Sequence, residues 1–302
     1  MYKSLNNYKN KNKMIIINSK VGSLAKIIIA VFALASLTIS FNASALGQLM
    51  VSPTRVVFEG NDRTKQVSVI NNGSETGRFR ISFVRRNMNA DGNIKEADKD
   101  EIGMYSDEMI RFSPRQVTLE PGQSQTVRLL LRKKSGTVDG EYRSHMMFQS
   151  LPDAATSDVS KLTSNNSDKF TVTLIPVVGI TIPVIVRQGK LDSDVTLSDF
   201  EIKQGNTVKA QSVLSLKINR VGNRSAYGDF RVYFTPKNGT PITIGRINGV
   251  AVYTSTNSRT LDIKLQLPEK LNLANGELRV TYLVPGRDEK SGLIAESRLA
   301  TP

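Results

Sequence analysis

Residues able to make or break bonds are sparse in this 302-residue chain. There is one histidine, His145, and no cysteine. That excludes disulfides, thiolate nucleophiles and cysteine metal sites. It also rules out a multi-histidine metal site and makes any serine triad depend on His145 alone. No G-x-S-x-G, Walker-type or dinucleotide fingerprint is present. His145 lies in an alternating strand segment and reads as structural. Carboxylates crowd into one loop, Asn89–Glu101 (NADGNIKEADKDE), but its glycine stands at the fourth position rather than the sixth that a calcium loop needs. The loop therefore reads as a solvated hairpin tip, and the sequence points to no catalytic site, no metal and no cofactor.

The chemistry the chain does offer is that of strand pairing. Phe170 to Arg187 (FTVTLIPVVGITIPVIVR) carries no charge before Arg187 and alternates. Phe170, Val172, Leu174, Pro176, Val178, Ile180 and Ile182 fall on one face, because side chains two apart share a face of a strand. Opposite them, Ile175 and Val177 are apolar while Thr171, Thr173, Gly179 and Thr181 are small or polar. Such a run is either a buried central strand or an edge strand whose apolar row is given to another chain. Pro176 and Pro183 lack an N–H and favour an edge.

The elements that must position this stretch start with an export signal. Residues 1–26 hold six lysines and no acid, then an apolar run Ile27–Phe41 leads to Ala43-Ser44-Ala45. This is a signal peptide with cleavage expected after Ala45, since the run is too short to span a bilayer. Translation could start at Met1 or Met14. The formal charge is +14. The exported chain stays basic after those lysines are removed, but its cations are scattered, which argues for a solvated surface and against nucleic acid.

From residue 48 onward, short alternating segments are separated by turn residues. Gln48–Phe58 is interrupted by Pro53. Lys65–Ile70 ends in the Asn71-Asn72-Gly73 turn signal, and Phe79, Ile81 and Phe83 mark the core face of Arg78–Arg85. Further segments flank Ser113-Pro114 and Glu120-Pro121-Gly122, and Glu141–Leu151 precedes the polar tract Pro152–Lys169. This pattern predicts an all-β immunoglobulin-type sandwich over residues 46–187. Residues 188–302 predict a second β-sandwich. Its strand segments are Val195–Ile202, Ser212–Ile218, Asp229–Phe234, Ile242–Ile247, Val250–Thr254, Thr260–Leu265 and Glu277–Leu283. Asn238-Gly239, Asn248-Gly249 and Asn275-Gly276 carry the type I′ turn signal.

The ordered set of pieces resembles the periplasmic pilus-assembly chaperones typified by PapD. It comprises Ser52-Pro53-Thr54-Arg55-Val56-Val57-Phe58, then Val67-Ser68-Val69-Ile70-Asn71-Asn72, then Phe112-Ser113-Pro114 with Leu119–Arg128 (LEPGQSQTVR). Asp139–Phe148 (DGEYRSHMMF) and Val184-Ile185-Val186-Arg187 complete it. The resemblance covers about residues 48–187 and is weak beyond them.

It implies two immunoglobulin-like β-sandwich domains set as an L or boomerang. It also implies a periplasmic, non-enzymatic chaperone that completes an unfinished pilus or fimbrial subunit with its own strand, called donor-strand complementation, and passes it to an outer-membrane usher. On this chain the donor row falls on Phe170, Val172, Leu174, Pro176 and Val178. The same row would also let the free form self-associate. The cation that grips the subunit's C-terminal carboxylate falls on Arg55. The family's second cation, a lysine four residues before Arg187, falls on Pro183, so either hydroxyl and backbone donors such as Thr181 assist Arg55, or another basic residue folds in. Arg187 matches an arginine of the domain junction, with Asp288 or Glu289 as candidate partners. The rival reading is an exported β-sandwich adhesin or structural pilus subunit, with the apolar row buried in its own fold.

Overall fold

The computed structural model describes residues 49–98, 103–152, 177–203, 212–268, 271 and 273–301. The expected export signal, residues 1–45, lies outside the described residues. Within them, no helix is long and apolar enough to cross a membrane.

The first half supplies eleven strands: β1 (Leu49–Ser52), β2 (Val56–Phe58), β3 (Thr64–Asn71), β4 (Gly77–Val84), β5 (Arg86–Met88), β6 (Ile94–Glu96), β7 (Ile110–Ser113), β8 (Gln116–Leu119), β9 (Ser124–Leu131), β10 (Gly140–Leu151) and β11 (Gly179–Gln188). One sheet has the order β1-β3-β9-β7 and the other β2-β11-β10-β4-β8. The strand expected over Gln48–Phe58, interrupted at Pro53, resolves into two strands that lie in opposite sheets. Alternation explains the layering. Val67 and Val69 of β3 face Phe79 and Ile81 of β4, with Val127 and Leu129 of β9, in one buried cluster. Turn chemistry closes the hairpins. Asn71 is fully buried, yet its amide donates to the carbonyls of Glu75 (2.7 Å) and Leu119 (2.9 Å), so both donors are satisfied. Gly122 sits at φ 76° behind Pro121, and Gln123 N–H returns to the Glu120 carbonyl at 3.0 Å.

The second half is a separate sandwich: β12 (Ser193–Lys203), β13 (Val213–Gly222), β14 (Ala226–Pro236), β15 (Ile242–Val252), β16 (Ser258–Lys264), β17 (Gly276–Leu283), the one-turn helix α1 (Glu289–Gly292) and β18 (Leu293–Thr301). The orders are β12-β13-β16 and β15-β14-β17-β18. Its own buried cluster centres on Phe230, Val232 and Phe234 of β14, with Phe230 stacked on Tyr282 at 4.3 Å. The protein is thus all-β, with two sandwiches of immunoglobulin type.

Two expectations are corrected. Asn248-Gly249 is not a turn between two strands, because β15 runs unbroken from Ile242 to Val252. The pair forms a bulge there, where the β14–β15 register shifts between Gly228 and Phe230. Gly249 takes φ 70° and its N–H is held by Asp229 Oδ1 at 2.9 Å. Of the Asn89–Glu101 loop, residues 89–98 are described; they form the tip of the β5–β6 hairpin, as expected, but the tip is not solvated throughout, and Met88 beside it is buried with Ile185, Ala251 and Tyr253 in a cluster joining the two sandwiches. Met88 N–H donates to Ser255 Oγ (3.0 Å), and Thr260 N–H donates to the Ala90 carbonyl (2.8 Å).

Candidate functional site: an open strand edge beside an unpaired arginine

The even-numbered residues of β11 begin inside their own sandwich and leave it. Val186 and Val184 have no exposure and Ile182 has 2%; Ile180 is partly buried and Val178 is 48% exposed. Val178 is the last residue of the predicted row that the structure describes. Phe170, Val172, Leu174 and Pro176 lie outside the described residues. Val177, the neighbour of Val178, is 49% exposed.

One edge of β11 is open over the same stretch. Strand β10 covers the other edge from Gly179 to Gln188, whereas β2 pairs with β11 only at Val184, Ile185 and Val186, and in parallel. Successive backbone groups of a strand point to alternate edges. Val178 C=O accepts from Ser150 N–H at 2.9 Å, so the even residues address β10. Gly179, Thr181 and Pro183 therefore address the open edge, and Pro183 offers it only a carbonyl. Among the described residues nothing pairs there.

Arg55 stands where that open edge ends, just before Val56, the partner of Val184. Val56 and Phe58 point into the core, so Arg55 and Val57 point the other way, toward the second sandwich. The guanidinium lies 4.3 Å from the Tyr227 ring centroid and 5.5 Å from that of Tyr253. Nη1 donates to Tyr253 Oη (3.3 Å) and Nη2 to Ser225 Oγ (3.4 Å). Both bonds are long and go to neutral hydroxyls, and among the described residues no carboxylate pairs with it. Stacking on aromatics fixes the plane of the fork and leaves its charge uncompensated. Thr181 lies on the same face of β11 as Ile185, opposite Met147 on β10. No hydrogen bond joins Thr181 to Arg55 among the described residues.

Sequence reading missed a set of buried ionisable residues on the adjacent strand. The odd-numbered face of β10 (Glu141, Arg143, His145) is covered by the second sandwich and the β5–β6 hairpin. Arg143 is 4% exposed and lies 3.8 Å from the Tyr253 centroid. Its Nη2 donates to the Arg86 carbonyl (3.1 Å) and Ser255 Oγ (3.3 Å), while Nη1 has no partner. Burial holds its pKa below the usual arginine range. In a sequence these residues look like the solvated face of an alternating strand, and nothing local signals that another domain covers them.

His145 sits directly across from Pro183. It is 4% exposed and its Nδ1 is unpartnered. Burial first, and then Arg143, Arg86 and Arg55, push its pKa down to about 3. At neutral pH it is an uncharged group, and among the described residues no serine or carboxylate hydrogen bond to it is found.

The unfolded chain takes up this proton near the ordinary value of 6.5. Below that pH the unfolded state therefore binds more protons than the folded one. The stability contributed by neutral His145 is complete above pH 6.5 and is lost as pH falls from about 6.5 toward about 3. The unfolding free energy should drop over that window by up to about 1.4 kcal/mol per pH unit, and His145→Gln should remove this component. A slope identical in the variant would contradict it.

Arg187 is an interdomain residue by a route other than the one expected. Its partners are Glu141 (3.2 Å) and Glu59 (3.1 Å), both in the first sandwich, not Asp288 or Glu289. Asp288 caps α1 through Ser291 N–H, and Glu289 pairs with Arg279. The link between sandwiches runs through the acids: Glu141 Oε2 also accepts from Ser225 N–H (3.3 Å), and Glu59 also meets Arg224 (3.6 Å). Among the described residues no group of three or more His, Cys, Asp or Glu could hold a metal ion.

No family model matches the sequence, and no curated protein matches it. Among solved structures the chain is similar to the crystal structure of the YadV chaperone, with a TM-score of 0.41 and 12% identity over 83% of this chain and 98% of that one. It is similar to the E. coli chaperone DraB, with a TM-score of 0.39 and 14% identity over 85% and 97%. It is also similar to the Salmonella enterica SafA pilin in complex with the SafB chaperone, with a TM-score of 0.38 and 15% identity over 85% and 98%.

Proposed function

We propose that this protein is a periplasmic, non-enzymatic chaperone of the PapD-like kind. It completes a pilus or fimbrial subunit by lending it the strand from Phe170 to Val178, and it delivers the subunit to an outer-membrane usher. The observation that carries the reading is the edge of β11 left open over Gly179–Pro183, with its apolar row emerging to solvent at Val178 and Arg55 at its end.

The direction of the added strand follows. Strand β2 occupies the edge beyond Arg55 and runs parallel to β11. A client strand in line with β2 and running the same way ends at Arg55, bringing its terminal carboxylate to an uncompensated guanidinium. A charged fork and a carboxylate make two parallel hydrogen bonds. Along the strand, main-chain bonds supply affinity, and each Leu or Val buried in the client adds roughly 1.5–3 kcal/mol. Thr181 lends backbone groups on the open edge. Where the family lysine would stand there is Pro183, flanked by His145 and diagonally by Arg143, so the positive potential at this point comes from β10.

The reading is tested by co-purification from the export compartment with the products of neighbouring genes. A stoichiometric, small, β-rich partner is expected. A protein recovered alone, with Val178 sealed in a dimer of its own that client subunits cannot displace, would overturn it.

A further inference from the structure

Between the two sandwiches lies a cavity of about 610 Å³, and Arg55 forms part of its wall. Its other cations, Arg187 and Arg224, are both tied to Glu59, and one carboxylate, Asp192, also lines it. Arg55 is thus the lining cation without an ion partner among the described residues. Apart from Ser193, Ser225 and Tyr227, the rest of the wall is aliphatic and comes largely from the second sandwich. Leu191 of the domain junction lines it together with Val284 and Pro285, just past β17, and Leu293 and Ile294 at the start of β18. Val284 is 36% exposed and Leu293 48% exposed. Large aliphatic side chains left open next to an unneutralised cation, in a concave site, suit a ligand that is anionic at one point and apolar beside it.

We infer that this wall is a selectivity pocket for the last residue of the client chain: the terminal carboxylate meets Arg55 while an apolar C-terminal side chain packs on Leu293 and Val284. The inference rests on the donor-strand reading above, which brings the client's chain end to Arg55, and it adds which chain ends are taken. The apolar wall belongs to the second domain, so that domain reads the terminal side chain while the first domain pairs with the backbone. Polar or acidic last residues would leave Leu293 and Val284 wet, and an acidic one would also face Asp192.

The test uses the full mature protein and synthetic strand peptides of alternating valine and threonine ending in Leu, Ser or Asp, each as free acid and as amide. Leu-ended acid should bind about tenfold more tightly than Ser-ended acid, the effect of about 1.4 kcal/mol. In the double variant Leu293→Ser with Val284→Ser that ratio should fall to near one, while the acid-over-amide ratio stays. Both positions are substantially exposed, so folding should survive. As a second variant, Leu293→Lys should turn the preference toward the Asp-ended peptide. A preference for acid over amide with no preference for Leu over Ser overturns this inference alone, as does a Leu preference that persists in both variants. Equal binding of acid and amide overturns the Arg55 reading and this inference with it.

Discussion

A Leu174→Glu chain should fold as the wild type does and lose client capture, with affinity down at least about a hundredfold. The size follows from two effects acting together. The client groove loses the burial of one leucine, roughly 1.5–3 kcal/mol. It must also take in a carboxylate with no partner, which costs several kcal/mol more or forces protonation. Each 1.4 kcal/mol is tenfold in affinity, so even the lower bound of the combined effect reaches about a hundredfold. Val178→Glu is the matching change on the described surface: Val178 is 48% exposed, so the free protein has little burial to lose there. Equal capture by both variants and the wild type would remove the donor role. A fall in thermal stability of the free protein on Leu174→Glu would show instead that the row is used inside its own fold.

Arg55→Ala should weaken binding of clients with a free C-terminal carboxylate by about tenfold to a hundredfold, since hydrogen bonds to charged groups contribute about 1.5–3 kcal/mol. Arg55 also lies against Tyr227 and Tyr253, so the substitution alone would mix anchoring with interdomain packing. The client's terminus separates them. Amidation should weaken binding to the wild type and have no effect on Arg55→Ala, because the two changes delete one interaction from opposite sides. Arg55→Lys keeps the charge without the planar fork and should fall between them. Additive losses on combining Arg55→Ala with the amide would place the carboxylate elsewhere.

Much of the architecture was legible because a sandwich writes its period into the sequence. Phe79 and Ile81 on β4, and Val127 and Leu129 on β9, are each separated by an arginine and are buried as a set. Asn-Gly was ambiguous because it marks turns and bulges alike. Asn238-Gly239 makes a turn, with Gly239 N–H bonded to the Pro236 carbonyl at 3.0 Å, but neither residue has positive φ, so it is not the type I′ turn expected, whereas Asn248-Gly249 makes a bulge inside β15 with Gly249 at φ 70°. Contacts between the sandwiches were the least legible. The partners of Arg187 were sought in the second domain, while Glu59 and Glu141 hold it from the first. Arg143, His145 and Met88 are buried only because another domain lies over them, and no local pattern encodes that cover. Arg55 was found by family resemblance. The reason it can serve, aromatic stacking without a counter-ion, became visible only with Tyr227 and Tyr253 in place.

The central claim is that the free edge of β11 is completed by another chain. Amide hydrogen exchange across β11, with and without a bound client subunit, tests it most directly. Val178 addresses β10, so the amides of Ile180 and Ile182 face β10 and should be protected in both states. The amides of Gly179 and Thr181 face the open edge; they should exchange freely in the isolated protein and become protected when the client binds. Protection of Gly179 and Thr181 in the isolated monomer, or their continued exchange in the complex, would contradict the account.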